Sequence, residues 1–257
     1  MRHFMGRCIP QPLRTIILPL NLSKTGEAYE RLLRGDVDII FVPEPSKSHQ
    51  DKADKLGVAF EMTPIGKEAF VFFVNVKNPV DTLTVDEIRG IYSGQITNWQ
   101  QVGGKDEKIR PFQRPENSGS QTALQKIMGD TALIEAPRED VVQGMGGIIN
   151  QVADYRNFDN AIGFSFLFYS TELVKQNQIK HLAINGIKPN HDNIRNDTYP
   201  FAKPFYAVTL SNPTKTSRDL IGWVISPQGQ ELVAKSGYVP IDDVVVSDVT
   251  PNDNKVK

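Results

Sequence analysis

The residues best suited to chemistry lie in the polar loop 113–122, Gln-Arg-Pro-Glu-Asn-Ser-Gly-Ser-Gln-Thr. Arg114 offers a charged fork of donors, Ser118 and Ser120 offer hydroxyl groups, and Gly119 allows close approach of the backbone. This combination is typical of a site for a tetrahedral oxyanion. The same residues also fit an ordinary Ser-capped helix whose loop carries a solvent-exposed arginine.

The residues on either side predict the elements that position this loop. Ile109 and Phe112 have the character of a strand end, whereas Leu124 and Met128 belong to a helical apolar spacing. The loop therefore enters a helix at its N-terminus. There the first backbone N–H groups lack intrahelical partners and the helix dipole is positive, so an anion is favoured.

A strand–helix–strand unit is predicted earlier in the chain. Residues 15–20 read as a strand, and the helix that follows ends at Gly35, with Ser23 or Thr25 as its N-cap. Residues 37–42 form a second short strand, and the proline-rich residues 43–46 leave it as a rigid loop. Open α/β sheets bind ligands at the carboxyl ends of such strands.

The remaining pattern continues the alternation of strands and helices and predicts an α/β fold. Predicted strands cover 58–62, 69–74, 161–168, 179–184 and 205–210. Predicted helices cover 49–56, the segment after the capping box at 84–87, a segment that begins at Ser217, and a second helix that begins at Ser226-Pro227 and ends at Gly237. Prolines at 79 and 200 mark two crossings between lobes. Residues 1–77 plus 201–257 are assigned to lobe I, and residues 78–200 to lobe II.

A second glycine-rich helix entry occurs at residues 144–147, Gly-Met-Gly-Gly. It fits either a second phosphate-binding turn or close packing of a helix on a sheet through small residues, and packing is the favoured interpretation.

Composition excludes several classes of protein. With 257 residues, 39% apolar and 23% charged, the chain is globular, and its net charge of −1 gives no general attraction to nucleic acid. Cys8, the single cysteine, excludes an intramolecular disulfide, and the histidines lack metal-ligand spacing. No apolar run approaches the ~20 residues of a membrane-spanning helix, and the first residues lack the core of a secretory signal.

An ordered set of motifs resembles the phosphate-binding proteins of bacterial phosphate ABC transporters. Between about residue 22 and residue 242, the motifs lie at 91–99, 102–104, 114–122, 144–147, 161–164, 199–201, 226–230 and 237–240. The resemblance implies a type II periplasmic-binding-protein fold. In that fold two α/β lobes are joined by a two-segment hinge and close on a ligand in the cleft.

The resemblance also implies a set of ligand-binding residues. Arg114, Ser118, Gly119 and Ser120 carry over from the loop, and Ser23 or Thr25 takes the place of a first-lobe hydroxyl. Glu44 is the candidate for the acidic group that accepts a proton from phosphate. Sulfate carries no proton at neutral pH, so such an acceptor would select phosphate.

Three departures from the family pattern are visible. Glu44 stands where the family usually has Asp, and Glu116 and Asn117 replace an Asp-Gly pair, so that Glu116 either orients Arg114 or is surface charge. The residues before Leu13 do not resemble the family's first strand and Gly-Ser/Thr-rich loop. If that segment is missing, the site loses several donors worth about 0.5–1.5 kcal/mol each, and the sheet loses an edge strand.

The resemblance implies an extracytoplasmic, monomeric receptor that captures inorganic phosphate and delivers it to an ABC transporter permease, without cofactor or metal. One alternative is a sensor or surface protein that keeps the fold but binds weakly. Another is an enzyme acting on a phosphorylated substrate, although no P-loop, His-Glu-x-x-His or Gly-x-Ser-x-Gly motif occurs.

Overall fold

The computed structural model describes residues 22–116, 118–153, 159–173 and 177–241. Its helices are α1 (Thr25–Arg34), α2 (Lys47–Leu56), α3 (Val85–Ser93), α4 (Gly119–Met128), α5 (Met145–Ala153), α6 (His191–Arg195), α7 (Lys215–Val224) and α8 (Pro227–Lys235). Its strands are β1 (Ile40–Val42), β2 (Phe60–Asn75), β3 (Thr82–Leu83), β4 (Arg110–Pro111), β5 (Ala161–Phe166), β6 (Ile179–His181), β7 (Ala183–Ile184) and β8 (Ala202–Leu210). A short π-helical segment covers Tyr169–Leu173.

Local sequence signals fix several helix ends. The predicted capping box is present at the start of α3, where Thr84 and Glu87 bond each other's backbone N–H groups. Gly35 and Gly57 end α1 and α2 in the left-handed conformation, as predicted. These caps and helix ends depend on residues that are close in sequence, and they therefore form as the sequence predicts.

The strands predicted at 58–62 and 69–74 prove to be parts of one long strand, β2. The pairing register with β8 shifts between Pro64 and Gly66, which marks a β-bulge. A bulge tolerates a proline because the residue there need not donate to the ladder, so Pro64 bends the strand without ending it.

Strand β2 is the centre of the main sheet. The strand order is β1-β8-β2-β5-β4, and β6 also pairs with β2. From Phe60 to Ala69 strand β2 pairs with β8, and from Phe70 onward it pairs with β5. The parallel pair β3 and β7 forms a separate small sheet. The C-terminal end of β4, which is parallel to β5, leads directly to Arg114.

Buried apolar side chains form two cores of very different size among the described residues. The large core contains most of β2 after Ala69, together with side chains of β5 and helices α3, α4 and α5. The small core consists of Tyr29, Leu32, Ile40, Val42 and Val208.

The mixed sheet with helices agrees with the predicted α/β fold class. The lobe boundaries of 1–77 plus 201–257 and 78–200 stay a prediction, and the change of partner along β2 lies between Ala69 and Phe70. The strand predicted at 15–20 and the departure before Leu13 lie outside the described residues.

Candidate functional site

Arg114 lies where the chain leaves the sheet. Phe112 is completely buried, and its N–H donates to Ile162 O of β5 at 3.0 Å, so the chain keeps its place beside the sheet up to that point. Arg114 N–H then donates to Gln121 Oε1 at 2.9 Å, and Gln121 Nε2 donates to Gln113 Oε1 at 2.9 Å. These bonds tie both ends of the loop together and fix the course of the arginine backbone.

Gln121 was not singled out in the sequence, although it lies inside the motif. An amide side chain can donate one hydrogen bond while it accepts another. Gln121 uses both abilities to bond Gln113 and Arg114. This chemistry is the only sequence signal that would have identified Gln121.

Helix α4 follows the loop, as predicted, and it begins immediately after Ser118. Ser118 is the N-cap, and its Oγ accepts from Gln121 N–H at 3.2 Å. Thr122 N–H donates to Ser118 O at 3.0 Å, so the N–H groups of Gly119 and Ser120 remain as the donors at this helix end. Ser118 therefore caps the helix, and its hydroxyl hydrogen stays available to a ligand. Asn117 lies outside the described residues.

Two buried polar side chains at this helix end have no hydrogen-bond partner in the described part of the chain. They are Arg114, 7% exposed, at Nε and Nη1, and Ser120, completely buried, at Oγ. Leaving such donors unpaired costs about 1–3 kcal/mol each, and more for a charged group. An unpaired buried polar group requires an explanation, and a ligand that completes the hydrogen bonds is one such explanation.

The electrostatics of Arg114 agree with an anion site. Burial lowers the pKa of the guanidinium, and the nearby Tyr169 raises it. Arg114 makes no ion pair with any residue that the structure describes, so its positive charge is not neutralised by a carboxylate. The prediction of a merely solvent-exposed arginine is therefore wrong.

Position 119 requires glycine because Thr25 and Pro43, which lie beside the small core, approach its backbone closely. A Cβ atom at this position would lie 2.8 Å from Thr25 Oγ1 and 3.1 Å from Pro43 Cγ. Thr25 is the first residue of α1, so the N-termini of α1 and α4 meet here. The structure thus brings Thr25, Gly119 and the loop after β1 together, and both helix ends favour an anion.

The expectation that Ser23 or Thr25 caps α1 is wrong. The N-cap is Lys24, which has extended backbone angles and makes no side-chain capping bond. A lysine side chain has no acceptor for a backbone N–H, and the hydroxyl of Thr25 is directed to Gly119 instead. Ser23 is exposed ahead of the helix.

Glu44 is engaged in an ion pair that joins the small-core side to α4. Its Oε2 accepts from Lys126 Nζ, and its Oε1 accepts from Tyr206 OH at 3.4 Å. Partial burial acts to raise the pKa of Glu44, but the hydrogen bond and charge of Lys126 outweigh it and hold the pKa below its ordinary value. Glu44 is therefore ionised at neutral pH, and its side chain, which is 40% exposed, lies on the flank of α4.

Glu116, in contrast, is exposed and shows no bond to Arg114 within the described ranges, which agrees with surface charge. At the second glycine-rich entry, a Cβ on Gly147 would lie 2.7 Å from Val142 Cγ1. This close approach agrees with the packing interpretation of residues 144–147.

A Ser–His–carboxylate arrangement is also present. Ser46 Oγ lies 2.6 Å from His49 Nδ1, and His49 Nε2 lies 3.5 Å from Glu30 Oε1. Ser46 is the N-cap of α2 and is buried, so its hydroxyl is used in the helix end and is not presented to a substrate. Geometry and burial assign this group a structural role.

Within the described ranges, no cluster of three or more His, Cys, Asp or Glu side chains could hold a metal ion. None of the helices described combines the length and apolar character that crossing a membrane requires.

Comparison with known proteins identifies the family of this chain. A model for the PBP superfamily domain matches residues 21–228. The phosphate-binding protein PstS of Bacillus subtilis is 27% identical over 175 residues, which cover 68% of this chain and 55% of that protein. PstS of Staphylococcus saprophyticus is 21% identical over 252 residues, covering 91% of this chain and 78% of that protein. The match thus spans about half the length of the first relative.

Solved structures show the same fold. An ABC-type phosphate transport receptor from Vibrio cholerae is 25% identical, with a TM-score of 0.64 and coverage of 84% of both chains. A Clostridium perfringens protein solved with bound phosphate is 24% identical, with a TM-score of 0.66 and the same coverage. These likenesses confirm the predicted type II periplasmic-binding-protein fold.

Proposed function

This chain belongs to the PBP superfamily, and we propose that it captures inorganic phosphate beside the N-terminus of α4 and delivers it to the permease of an ABC transporter. The observation that carries the proposal is the pair of buried, unpartnered polar groups on Arg114 and Ser120 at that helix end. The names of the relatives, phosphate-binding protein PstS, support phosphate as the anion and do not favour a non-binding surface protein.

Each group of the site has a distinct part in holding the anion. The Arg114 guanidinium binds phosphate oxygens through its unpaired nitrogens, and the N–H groups of Gly119 and Ser120 bind through the helix end. The hydroxyl groups of Ser118, Ser120 and Thr25 complete the shell, Thr25 acting from the small-core side. Ser23 stays a proposed ligand group with weaker support, since it is exposed.

Glu44 is the proposed acceptor of the phosphate proton. Its ionised state supports this role, because an ionised carboxylate only accepts hydrogen bonds, as the protonated oxygen of phosphate requires. Lys126 occupies Oε2, whereas the 3.4 Å bond from Tyr206 leaves Oε1 the more weakly held of the two oxygens. Oε1 is therefore the atom assigned to phosphate.

The remaining parts of the proposal follow from the function. A receptor that hands its ligand to a permease acts outside the cytoplasm, needs no cofactor and requires only one copy of the chain. The family is one of substrate-binding transport proteins and not of enzymes. The described residues likewise offer no exposed nucleophile in the Ser46 and His49 arrangement.

Isothermal calorimetry on phosphate-stripped protein tests the proposal. We expect the wild type to bind phosphate with micromolar or tighter affinity and to ignore sulfate. Arg114→Ala should lose this binding, since a charged hydrogen-bonded pair is worth about 3 kcal/mol, or more than 100-fold. Arg218→Ala, which removes an exposed arginine on α7, is the control and should bind normally. Absence of heat in the wild type would overturn the proposal.

A further inference from the structure

Two buried glutamines, Gln113 and Gln121, form a chain of side-chain hydrogen bonds that ends at Arg114. They are 6% and 4% exposed, respectively. At one end of the chain Gln113 Nε2 donates to Ile134 O at 2.9 Å. Gln121 Nε2 donates to Gln113 Oε1 at 2.9 Å, and Gln121 Oε1 accepts from Arg114 N–H at 2.9 Å. The chain thus runs from a backbone carbonyl to a backbone amide.

The two ends of the chain fix the orientation of both side-chain amides. Ile134 O can only accept, so Gln113 turns its amide nitrogen to it and its Oε1 to Gln121. Gln121 must then donate to Gln113, which leaves its Oε1 for Arg114 N–H. An ionised carboxylate cannot donate and an aliphatic side chain can do neither, so position 121 requires a group that does both.

Gln113 is itself anchored to the structure beside the sheet. Its N–H donates to Asp140 O at 2.9 Å, and its O accepts from Val142 N–H at 2.9 Å. The carboxylate of Asp140 in turn accepts from Arg110 of β4. The far end of the glutamine chain is therefore tied to strand β4, and Gln121 bonds Arg114 from a fixed base.

Gln121 also connects this chain to the helix end. It lies in the first turn of α4, directly after Ser120, and its own N–H donates to Ser118 Oγ at 3.2 Å. One residue thus bonds Arg114 through its side chain and Ser118 through its backbone. Because an amide carries no charge, Gln121 does so without neutralising Arg114. Glu116, the sequence candidate for orienting Arg114, shows no such bond within the described ranges.

We propose that Gln121 is a positioning residue for the phosphate site: its side chain, braced by Gln113, fixes the backbone of Arg114 beside the N-terminus of α4. An arginine whose backbone is already fixed loses less conformational freedom when the anion binds, so the affinity rises. This inference rests on the proposed phosphate function and adds to it a residue that does not touch the ligand.

Calorimetry with phosphate on glutamine-to-methionine variants tests the inference. Methionine has a similar length and no amide, so Gln121→Met removes the acceptor of Arg114 N–H while much of the packing is kept. We expect Gln121→Met to bind phosphate about ten-fold more weakly, which corresponds to the loss of one buried hydrogen bond. Gln113→Met removes only the brace and should bind about three-fold more weakly.

Gln230→Met is the matched control. Gln230 is 1% exposed, and its side chain donates to Ile65 O and Val224 O and accepts from Ile241 N–H. Because three bonds are lost, this change should lower stability to urea at least as much as Gln121→Met does, yet leave phosphate affinity unchanged. An equal loss of affinity in Gln230→Met and Gln121→Met would show that stability alone is responsible, and it would overturn the inference.

Hydrogen exchange of the Arg114 backbone amide in ligand-free protein gives a second readout. The amide should exchange roughly ten-fold faster in Gln121→Met than in the wild type, and at the wild-type rate in Gln230→Met. Faster exchange with unchanged phosphate affinity overturns the inference while the phosphate function stands. If Gln121→Met does not fold, Gln113→Met decides, and wild-type affinity in that variant overturns the inference. If the wild type binds no phosphate, the proposed function fails and the inference with it.

Discussion

Two arginines four residues apart, Arg110 and Arg114, have opposite surroundings. Arg110 donates from Nε and Nη2 to Asp140 Oδ1 at 2.6 Å and lies 5.2 Å from the centre of the Phe112 ring. Arg114 is more deeply buried, yet two of its nitrogens have no partner in the described part of the chain. The fold uses the donors of Arg110, whereas two donors of Arg114 remain for the ligand that we propose.

Open space alone would point to Arg110 and not to Arg114. A cavity of about 330 Å³ is lined by Arg110, Asp140 and other polar and apolar residues. The site at Arg114 is instead enclosed, with Arg114 only 7% exposed and Ser120 completely buried. The proposed site therefore rests on unpaired buried donors and not on cavity size.

Replacing each arginine by methionine tests this difference most strongly. Arg110→Met should destabilise the protein by about 2 kcal/mol, because it leaves the buried Asp140 carboxylate unpaired, while phosphate binding persists. Arg114→Met should abolish phosphate binding and leave ligand-free stability equal or higher, since an unpaired buried charge is removed. Urea unfolding and calorimetry of both variants measure the two effects. Equal destabilisation by both would contradict the distinction between the arginines.

A methyl group at Gly119 should act on the same site more mildly. Gly119→Ala places a Cβ 2.8 Å from Thr25 Oγ1, so the contact between α1 and α4 must open. We expect phosphate affinity to fall about ten-fold, which corresponds to about 1.4 kcal/mol. The matched change Gly222→Ala, in α7 with nothing within 4 Å of the new Cβ, should stabilise the protein by about 0.5–1 kcal/mol. Unchanged affinity in Gly119→Ala would show that the contact with Thr25 is not part of the site.

The smallest effect is expected at the ion pair between Glu44 and Lys126. Lys126→Gln should cost about 0.5 kcal/mol at neutral pH, since both partners are partly exposed. The pKa of Glu44 is lowered in the folded protein, so the pair stabilises above the ordinary carboxyl pKa and loses its effect as the pH falls through the lowered value. The two proteins should therefore unfold at the same urea concentration in acid.

A control for this pair lies within α7, where Lys215 bonds Asp219 at 2.5 Å. Lys215→Gln should have a similar small effect on stability and none on phosphate affinity, whereas Lys126→Gln should also weaken phosphate binding. Identical phosphate affinities in the two variants would argue against the assignment of Glu44 to the site.

The conformation of the loop before α4 could be predicted from the sequence because its parts are local. Ser118 caps α4, and Gly119 and Ser120 occupy its first turn, all within a few residues of Arg114. The same holds for the capping box of α3 and for the glycine ends of α1 and α2. Hydrogen bonds between near neighbours depend on side-chain type and spacing, and both can be read from a sequence.

Contacts between distant residues were decided only by the tertiary structure. The approach of Thr25 to Gly119, the pairing of Glu44 with Lys126, and the bond from Phe168 to Glu68 each join segments far apart in the chain. The continuity of β2 through its bulge belongs to the same class, because β8 supplies the pairing that carries the strand past Pro64.

The sequence alone therefore determined the residue types of the proposed anion site: an arginine, two hydroxyl groups and a glycine at the start of a helix. Only the tertiary structure decided that the arginine is buried without a counter-charge and that a second helix end meets it. Residue type sets what a group can bond to, whereas burial and the positions of distant segments set which bonds remain for a ligand.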